Sequence, residues 1–271
     1  MWCVPLLKVL LPILLNQAQV GGFPKVDFKA AFGEAQGCFV LREIGADWTL
    51  RYNEAGCAER HAPCSTFKVF NALAGLETGV LKDENTTCKW DGKPKWSKAW
   101  EHDHNLATAL RDSVLWYFQK VAEGIGPERM KTWLDKVGYG NGAMSKDQTL
   151  FWLDDSLRIS ADEQVRFIER LYTDDLPFAK AHQALVRKLL VRDSGPNWTF
   201  SGKTGSQMHQ NKYVLGWFVG HVRVGERQFV FCTRMTGADK VNGPRAQDVS
   251  RRVLADLGII PVPTAKDSVK K

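Results

Sequence analysis

The chain has 271 residues, 44% hydrophobic and 25% charged, enough to bury a core in one large domain or two lobes. Its formal charge of +7 is spread along the sequence without a long Lys/Arg run, which argues against nucleic acid as a partner. A mildly basic surface suits small carboxylate substrates as well as it suits solubility.

Residues 1–18 run from Met1 through an apolar stretch to Ala18 and are expected to be a signal peptide cut near that small residue. The leader is atypical: Lys8 is its only positive charge, Pro12 interrupts the apolar core, and Asn16 is a poor fit two positions before Ala18. The segment is too short and broken for a membrane span, so no stable membrane association is expected. The expectation is an exported, periplasmic protein whose main domain covers 24–260. Loss of the leader removes Cys3 and leaves Cys38, Cys57, Cys64, Cys88 and Cys232, an odd number with no Cys-x-x-Cys pair. At least one thiol is then free, and a structural zinc site has no support. Cys38 and Cys232 both lie in strand-like runs that could be sheet neighbours.

Gly37–Leu41 and Trp48–Tyr52 flank a Gly45-Ala46-Asp47 turn and predict a β-hairpin. Pro63 opens a helix whose apolar residues continue from Val69 to Leu76, with Gly79 closing it. Cys88–Trp100 is rich in turn residues and Trp. From His104 to Gly142 the pattern is helical, with Pro127 at a first helical position and Gly138 as a terminator. Ser160 and Glu163 form a capping box, and a further helix is expected over Phe178–Val191. Strands return at Thr199–Thr204, Tyr213–Val219 and Gln228–Arg234, followed by an amphipathic helix over about Arg245–Leu257. The predicted class is α+β: an antiparallel sheet flanked by terminal helices, with an all-helical lobe inserted at about 58–192 and a disordered tail at 261–271. A cleft between lobes would draw residues from both.

Four short motifs follow in order. In Ser65-Thr66-Phe67-Lys68, residues three apart share a helix face, so a lysine base can activate a serine near a helix N-terminus. Ser113-Val114-Leu115 lies in the helical region, Tyr139-Gly140-Asn141 closes a helix, and Lys203-Thr204-Gly205-Ser206 sits on a late strand. Each motif alone is common by chance, and a capping Ser with a solvated Lys explains the first one. The order of all four is far more specific.

In that order, with the Phe151-Trp152-Leu153, Gly216–Gly220 and Gly243-Pro244-Arg245 blocks, the chain resembles the class D (oxacillinase-type) serine β-lactamases from about Gly37 to Ile260. The resemblance implies a serine β-lactamase/transpeptidase-like fold and hydrolysis of β-lactams through an acyl-enzyme. It implies Ser65 as nucleophile, and Lys68 as general base, carrying a carbamate (N6-carboxylysine) derived from carbon dioxide, with no other cofactor and no metal. Trp152 would hydrogen-bond the carbamate and Ser113 would pass a proton to the lactam nitrogen. Lys203, Thr204 and Arg245 would hold the substrate carboxylate, Gly205 would let substrate lie close to the strand, and the backbone N–H groups of Ser65 and Ser206 would form the oxyanion hole. One position departs from the family pattern, which usually has Val where this chain has Leu115, a side chain expected to line the carbamate pocket.

His102-Asp103-His104 lacks a third metal ligand, and Asp154-Asp155 reads as solvated surface. The ten Trp mostly read as packing, apart from Trp152. The rival reading is a penicillin-sensing receptor domain, which is acylated but does not turn over and tends to carry Asn at the position of Leu115. A cell-wall peptidase fits the Tyr-Gly-Asn and Phe-Trp-Leu blocks less well. Oligomeric state and substrate spectrum stay open.

Overall fold

The computed structural model describes residues 22–237 and 241–262, so the expected leader and the tail beyond Val262 lie outside the described residues. Strands β1 (Gln36–Glu43) and β2 (Thr49–Tyr52) form the hairpin expected near the start of the chain. After a two-stranded ladder of β3 (Thr87–Cys88) and β4 (His104–Asn105), four strands close the chain: β5 (Val191–Gly195), β6 (Trp198–His209), β7 (Lys212–Val224) and β8 (Arg227–Thr236). Six of these make one antiparallel sheet in the order β2-β1-β8-β7-β6-β5, so the last strand of the chain pairs with the first.

Both faces of the sheet are covered, and the period-2 alternation of strands decides which side chain goes where. Along β1, Phe39 and Leu41 join one core while Cys38 and Val40 join the other; along β8, Phe229 and Phe231 alternate in the same way with Val230 and Cys232. The first core is closed by the terminal helices α1 (Phe28–Phe32) and α9 (Gly243–Asp256), the latter through Val249, Val253 and Leu254. The second belongs to helices that lie between β2 and β5: α2 (Glu54–Ala58), α3 (Lys68–Glu77), α4 (Leu106–Arg111), α5 (Leu115–Ile125), α6 (Pro127–Val137), α7 (Ala161–Tyr172) and α8 (Lys180–Leu189). Every residue of α3 from Lys68 to Leu76 is buried, so it is the axis around which this lobe packs.

Local signals read from the sequence act as expected. Ser160 and Glu163 cap α7 reciprocally, Pro127 starts α6, and Gly138 ends it in the left-handed region at φ 69°. One expectation needs correction. The helix expected over Phe178–Val191 spans only Lys180–Leu189, and Val191 begins the edge strand β5, whose polar Arg-Asp-Ser-Gly run hides it from an apolar pattern search. Cys38 and Cys232 lie on neighbouring strands, as expected, with Cys38 opposite Arg234 and Cys232 opposite Val40. All five described cysteines are free thiols.

Candidate active site

The chain enters α3 through a 3-10 turn, Cys64–Phe67. Cys64 adopts φ 51°, a conformation that costs energy for a residue with a Cβ, and its N–H is pinned to the Trp152 carbonyl at 3.0 Å. The Cys64 thiol is buried behind the turn and pushed up to about 12 by that burial, so it is a packing residue and not a second nucleophile. Ser65 faces the cleft next to it.

Lys68 follows Ser65 by one turn, and its Nζ donates to Ser65 Oγ at 2.6 Å and to Ser113 Oγ at 3.3 Å. The amine is buried, with the Phe118 ring centroid 5.8 Å away and no carboxylate paired to it among the described residues. Loss of hydration disfavours the ammonium form and lowers its pKa to about 7. Ser113 sits at the corner between α4 and α5 with φ 57°, and the N–H of Val114 ties that corner to the Ala109 carbonyl at 2.9 Å. From the sheet side, Lys203 Nζ donates to Ser113 Oγ at 3.0 Å, and to the carbonyl and hydroxyl of Thr204 at 3.1 and 3.3 Å. Burial, then the Arg192 and Lys68 cations, push the Lys203 ammonium well below its ordinary range. A serine hydroxyl has two lone pairs and one hydrogen. With both lone pairs of Ser113 facing lysine donors, its hydrogen is left for an acceptor in the cleft.

Gly205 brings β6 onto the nucleophile turn. A Cβ there would stand 3.0 Å from the Pro63 carbonyl oxygen and 3.1 Å from Thr66 Cγ2. Ser206 comes next and lines the cleft beside Ser65, while its hydroxyl accepts from the Gly243 N–H at 2.8 Å. That bond seats the start of α9 on the Lys-Thr-Gly strand, where a Cβ at Gly243 would meet Thr204 Cβ at 2.7 Å. Arg245 lies in the first turn of α9; one guanidinium nitrogen donates to the Phe32 carbonyl at 3.2 Å, and the residue is not part of the cleft lining. Lys203 and Arg245 are the two expected substrate contacts outside the cleft lining, and Lys203 reaches it through Ser113 and Thr204.

Trp152 is fully buried, stacked on Phe67 at 5.2 Å, and its Nε1 donor makes no hydrogen bond among the described residues. An orphaned buried N–H of this kind costs on the order of 1–3 kcal/mol unless something accepts from it. The Tyr139-Gly140-Asn141 block clamps the loop that carries Trp152. Asn141 Nδ2 donates to the Ser156 carbonyl and its Oδ1 accepts from the Arg158 N–H, each at 2.9 Å, and a Cβ on Gly140 would lie 2.1 Å from the Arg158 carbonyl oxygen.

The cleft has a volume of about 470 Å³. Ser65, Lys68, Ser113, Thr204 and Ser206 form its polar floor, and Trp96, Trp100, Leu115, Leu153, Met208 and Tyr213 line its apolar side. Leu115 lines the cleft as expected. Leu153, Trp96 and Trp100 were not singled out from sequence. Trp96 is 70% exposed, so it falls outside the packing expected of most Trp. Its signal was the turn-rich Lys-Pro-Lys context, which is a poor setting for a core residue. Elsewhere, His104 is buried and bonded to Thr108 and the Ala99 carbonyl, Asp103 pairs with Lys89, and Asp155 pairs with Arg158. Among the described residues no group of three His, Cys, Asp or Glu could hold a metal.

A serine beside a buried lysine and a second Ser–Lys contact across two lobes is a site suited to acyl transfer to serine. The penicillin-binding protein transpeptidase domain family matches residues 33–255. The chain is 35% identical over 263 residues to the probable β-lactamase YbxI of Bacillus subtilis, covering 92% of this chain and 96% of that one. A class D β-lactamase structure from Bacillus subtilis superposes with a TM-score of 0.82 at 37% identity, covering 87% of this chain and 97% of the other. The C-terminal domain of the Bacillus licheniformis BlaR penicillin receptor also superposes, with a TM-score of 0.83 at 31% identity, covering 87% and 96%. The chain belongs to the penicillin-binding transpeptidase domain family and, within it, to the class D serine β-lactamases.

Proposed function

We propose that the chain hydrolyses β-lactams by the following division of labour. The Lys68 side chain takes the proton of Ser65 Oγ as that oxygen bonds to the lactam carbonyl carbon. The ring C–N bond then breaks, the nitrogen takes the proton that Ser113 directs into the cleft, and Ser113 takes in turn the proton held on the Lys68 side chain, 3.3 Å away. The backbone N–H groups of Ser65 and Ser206 receive the developing oxyanion. Lys203, Thr204 and Arg245 hold the substrate carboxylate, and water then releases the acyl group.

A carbamate on Lys68 belongs to this reading, and when present it supplies a carboxylate as general base. Burial leaves the Lys68 amine neutral over much of the physiological range, as addition of carbon dioxide requires. Leu115 and Leu153 keep the surroundings apolar. The observation that carries the reading is the buried, unpartnered Nε1 of Trp152, a donor in want of an anionic acceptor. The leader composition of residues 1–18 supports export to the periplasm.

The test is activity in mildly acidic, carbon-dioxide-depleted buffer, which should fall and recover on addition of bicarbonate. Activity indifferent to bicarbonate, together with wild-type protein that stays acylated for hours, would replace this reading with that of a sensor.

A further inference from the structure

The edge strand β5 pairs with β6 through a register shift between Val191 and Asp193, so Arg192 has no partner residue across the ladder. A bulge bends its strand and re-aims the extra side chain. Here it turns the Arg192 guanidinium toward two carbonyls on different elements: Nε donates to Gly202 at 2.9 Å and Nη1 to Arg111 at 3.3 Å. Gly202 immediately precedes Lys203, and its own N–H donates to the Leu190 carbonyl at 2.9 Å, so Leu190 and Arg192, on either side of Val191, hold both of its backbone groups. Arg111 ends α4, two residues before Ser113. The two anchors of Arg192 therefore bracket the 3.0 Å contact between Ser113 and Lys203, where helical lobe and sheet meet in the site. A guanidinium kept only for packing would be expected to have a carboxylate partner. Among the described residues Arg192 has no ion pair, and neighbouring Asp112 is engaged by Arg111.

We propose that Arg192 is a positioning residue for acylation, its planar fork fixing Ser113 against Lys203 across the two lobes so that the Ser113 hydrogen stays aimed at the leaving nitrogen. The inference rests on Ser113 as the proton donor of the reaction proposed above. Charge acts in the same direction as geometry. The charged groups set around the pair are Lys68 and Arg192 beside Lys203, and Arg111 and Asp112 beside Arg192. The Arg192 cation makes a second charge on Lys203 unfavourable and helps to keep that amine neutral.

Arg192→Gln and Arg192→Lys test this by pre-steady-state kinetics that separate acylation from deacylation, with melting curves alongside. The Gln variant should slow acylation on the order of tenfold, since displacement of a proton donor by a fraction of an ångström is felt at that scale, and leave deacylation unchanged. Its acidic limb of acylation should move to higher pH, because Lys203 then holds its proton further up the scale. The Lys variant should keep that limb in place yet still acylate slowly, because one ammonium cannot reproduce the fork. Acylation and deacylation falling together in step with the melting temperature, with the limb unmoved, would reduce Arg192 to a strut and overturn the proposal; so would normal acylation in the Gln variant. Wild-type protein that acylates without deacylating would sink the hydrolase reading, and the acylation comparison would still decide the role of Arg192.

Discussion

Replacing Trp152 with Phe removes one N–H from the site while keeping an aromatic ring between Phe67 and Phe151, whose centroids lie 5.2 and 5.1 Å from the Trp152 ring. Two opposing effects on stability follow. The smaller ring leaves a cavity that costs about 1–2 kcal/mol, and loss of the unpartnered buried donor relieves roughly 1–3 kcal/mol. Thermal stability without carbon dioxide should therefore change little. The effect on the Lys68 carbamate is one-sided, because a hydrogen bond to a charged acceptor contributes about 1.5–3 kcal/mol. At about 1.36 kcal/mol per factor of ten, that raises the bicarbonate needed for half-maximal activity roughly 10- to 150-fold. The assay is a bicarbonate titration of hydrolysis at fixed pH, paired with the carbamate signal of protein equilibrated with carbon-13 bicarbonate. The same half-saturating bicarbonate in wild type and Trp152→Phe would refute the assignment of that indole to the carbamate.

Two further predictions concern the floor of the cleft. Lys68→Met should abolish turnover and, in carbon-dioxide-depleted buffer at neutral pH, raise the melting temperature, because the fold no longer buries an amine at the cost of its hydration. The sign follows from the depressed pKa: between about 7 and the ordinary 10.5 the unfolded chain binds the extra proton, so the wild-type penalty is full below about 7 and fades as pH rises toward 10.5. A variant no more stable than wild type at pH 7 would contradict a desolvated Lys68. Arg245→Ala should raise KM several-fold for carboxylate-bearing substrates with a smaller change in kcat, as expected of a contact made in ground and transition states alike. Unchanged KM across several such substrates would leave Arg245 as a tie between α9 and the Phe32 carbonyl.

Much of this site was legible in the sequence because its parts are local. Ser65 and Lys68 lie one turn apart, and Lys203-Thr204-Gly205-Ser206 is one strand segment, so spacing alone puts each set on one face. The hairpin, the α7 capping box and the Pro127/Gly138 helix limits were readable for the same reason. What was hidden depends on tertiary placement. Whether Lys68 is buried is decided by the neighbours that enclose α3, Phe118 among them, and not by its own segment. The β5 edge strand lacks an apolar pattern, and its bulge at Arg192 exists only relative to β6. Trp96 and Trp100 stand in a loop whose composition announces a turn but not the cleft it borders.

The central claim is that Ser65 is acylated and then released, and intact-protein mass spectrometry after brief exposure to a penicillin tests it most directly. Ser65 shares a 2.6 Å contact with Lys68 and lines the cleft with Ser113, Thr204 and Ser206. Wild-type protein should gain one penicillin mass and return to its starting mass as the substrate is consumed, while Ser65→Ala should never gain it. An adduct on Ser65→Ala would place the nucleophile elsewhere, and a wild-type adduct that never decays would contradict hydrolysis.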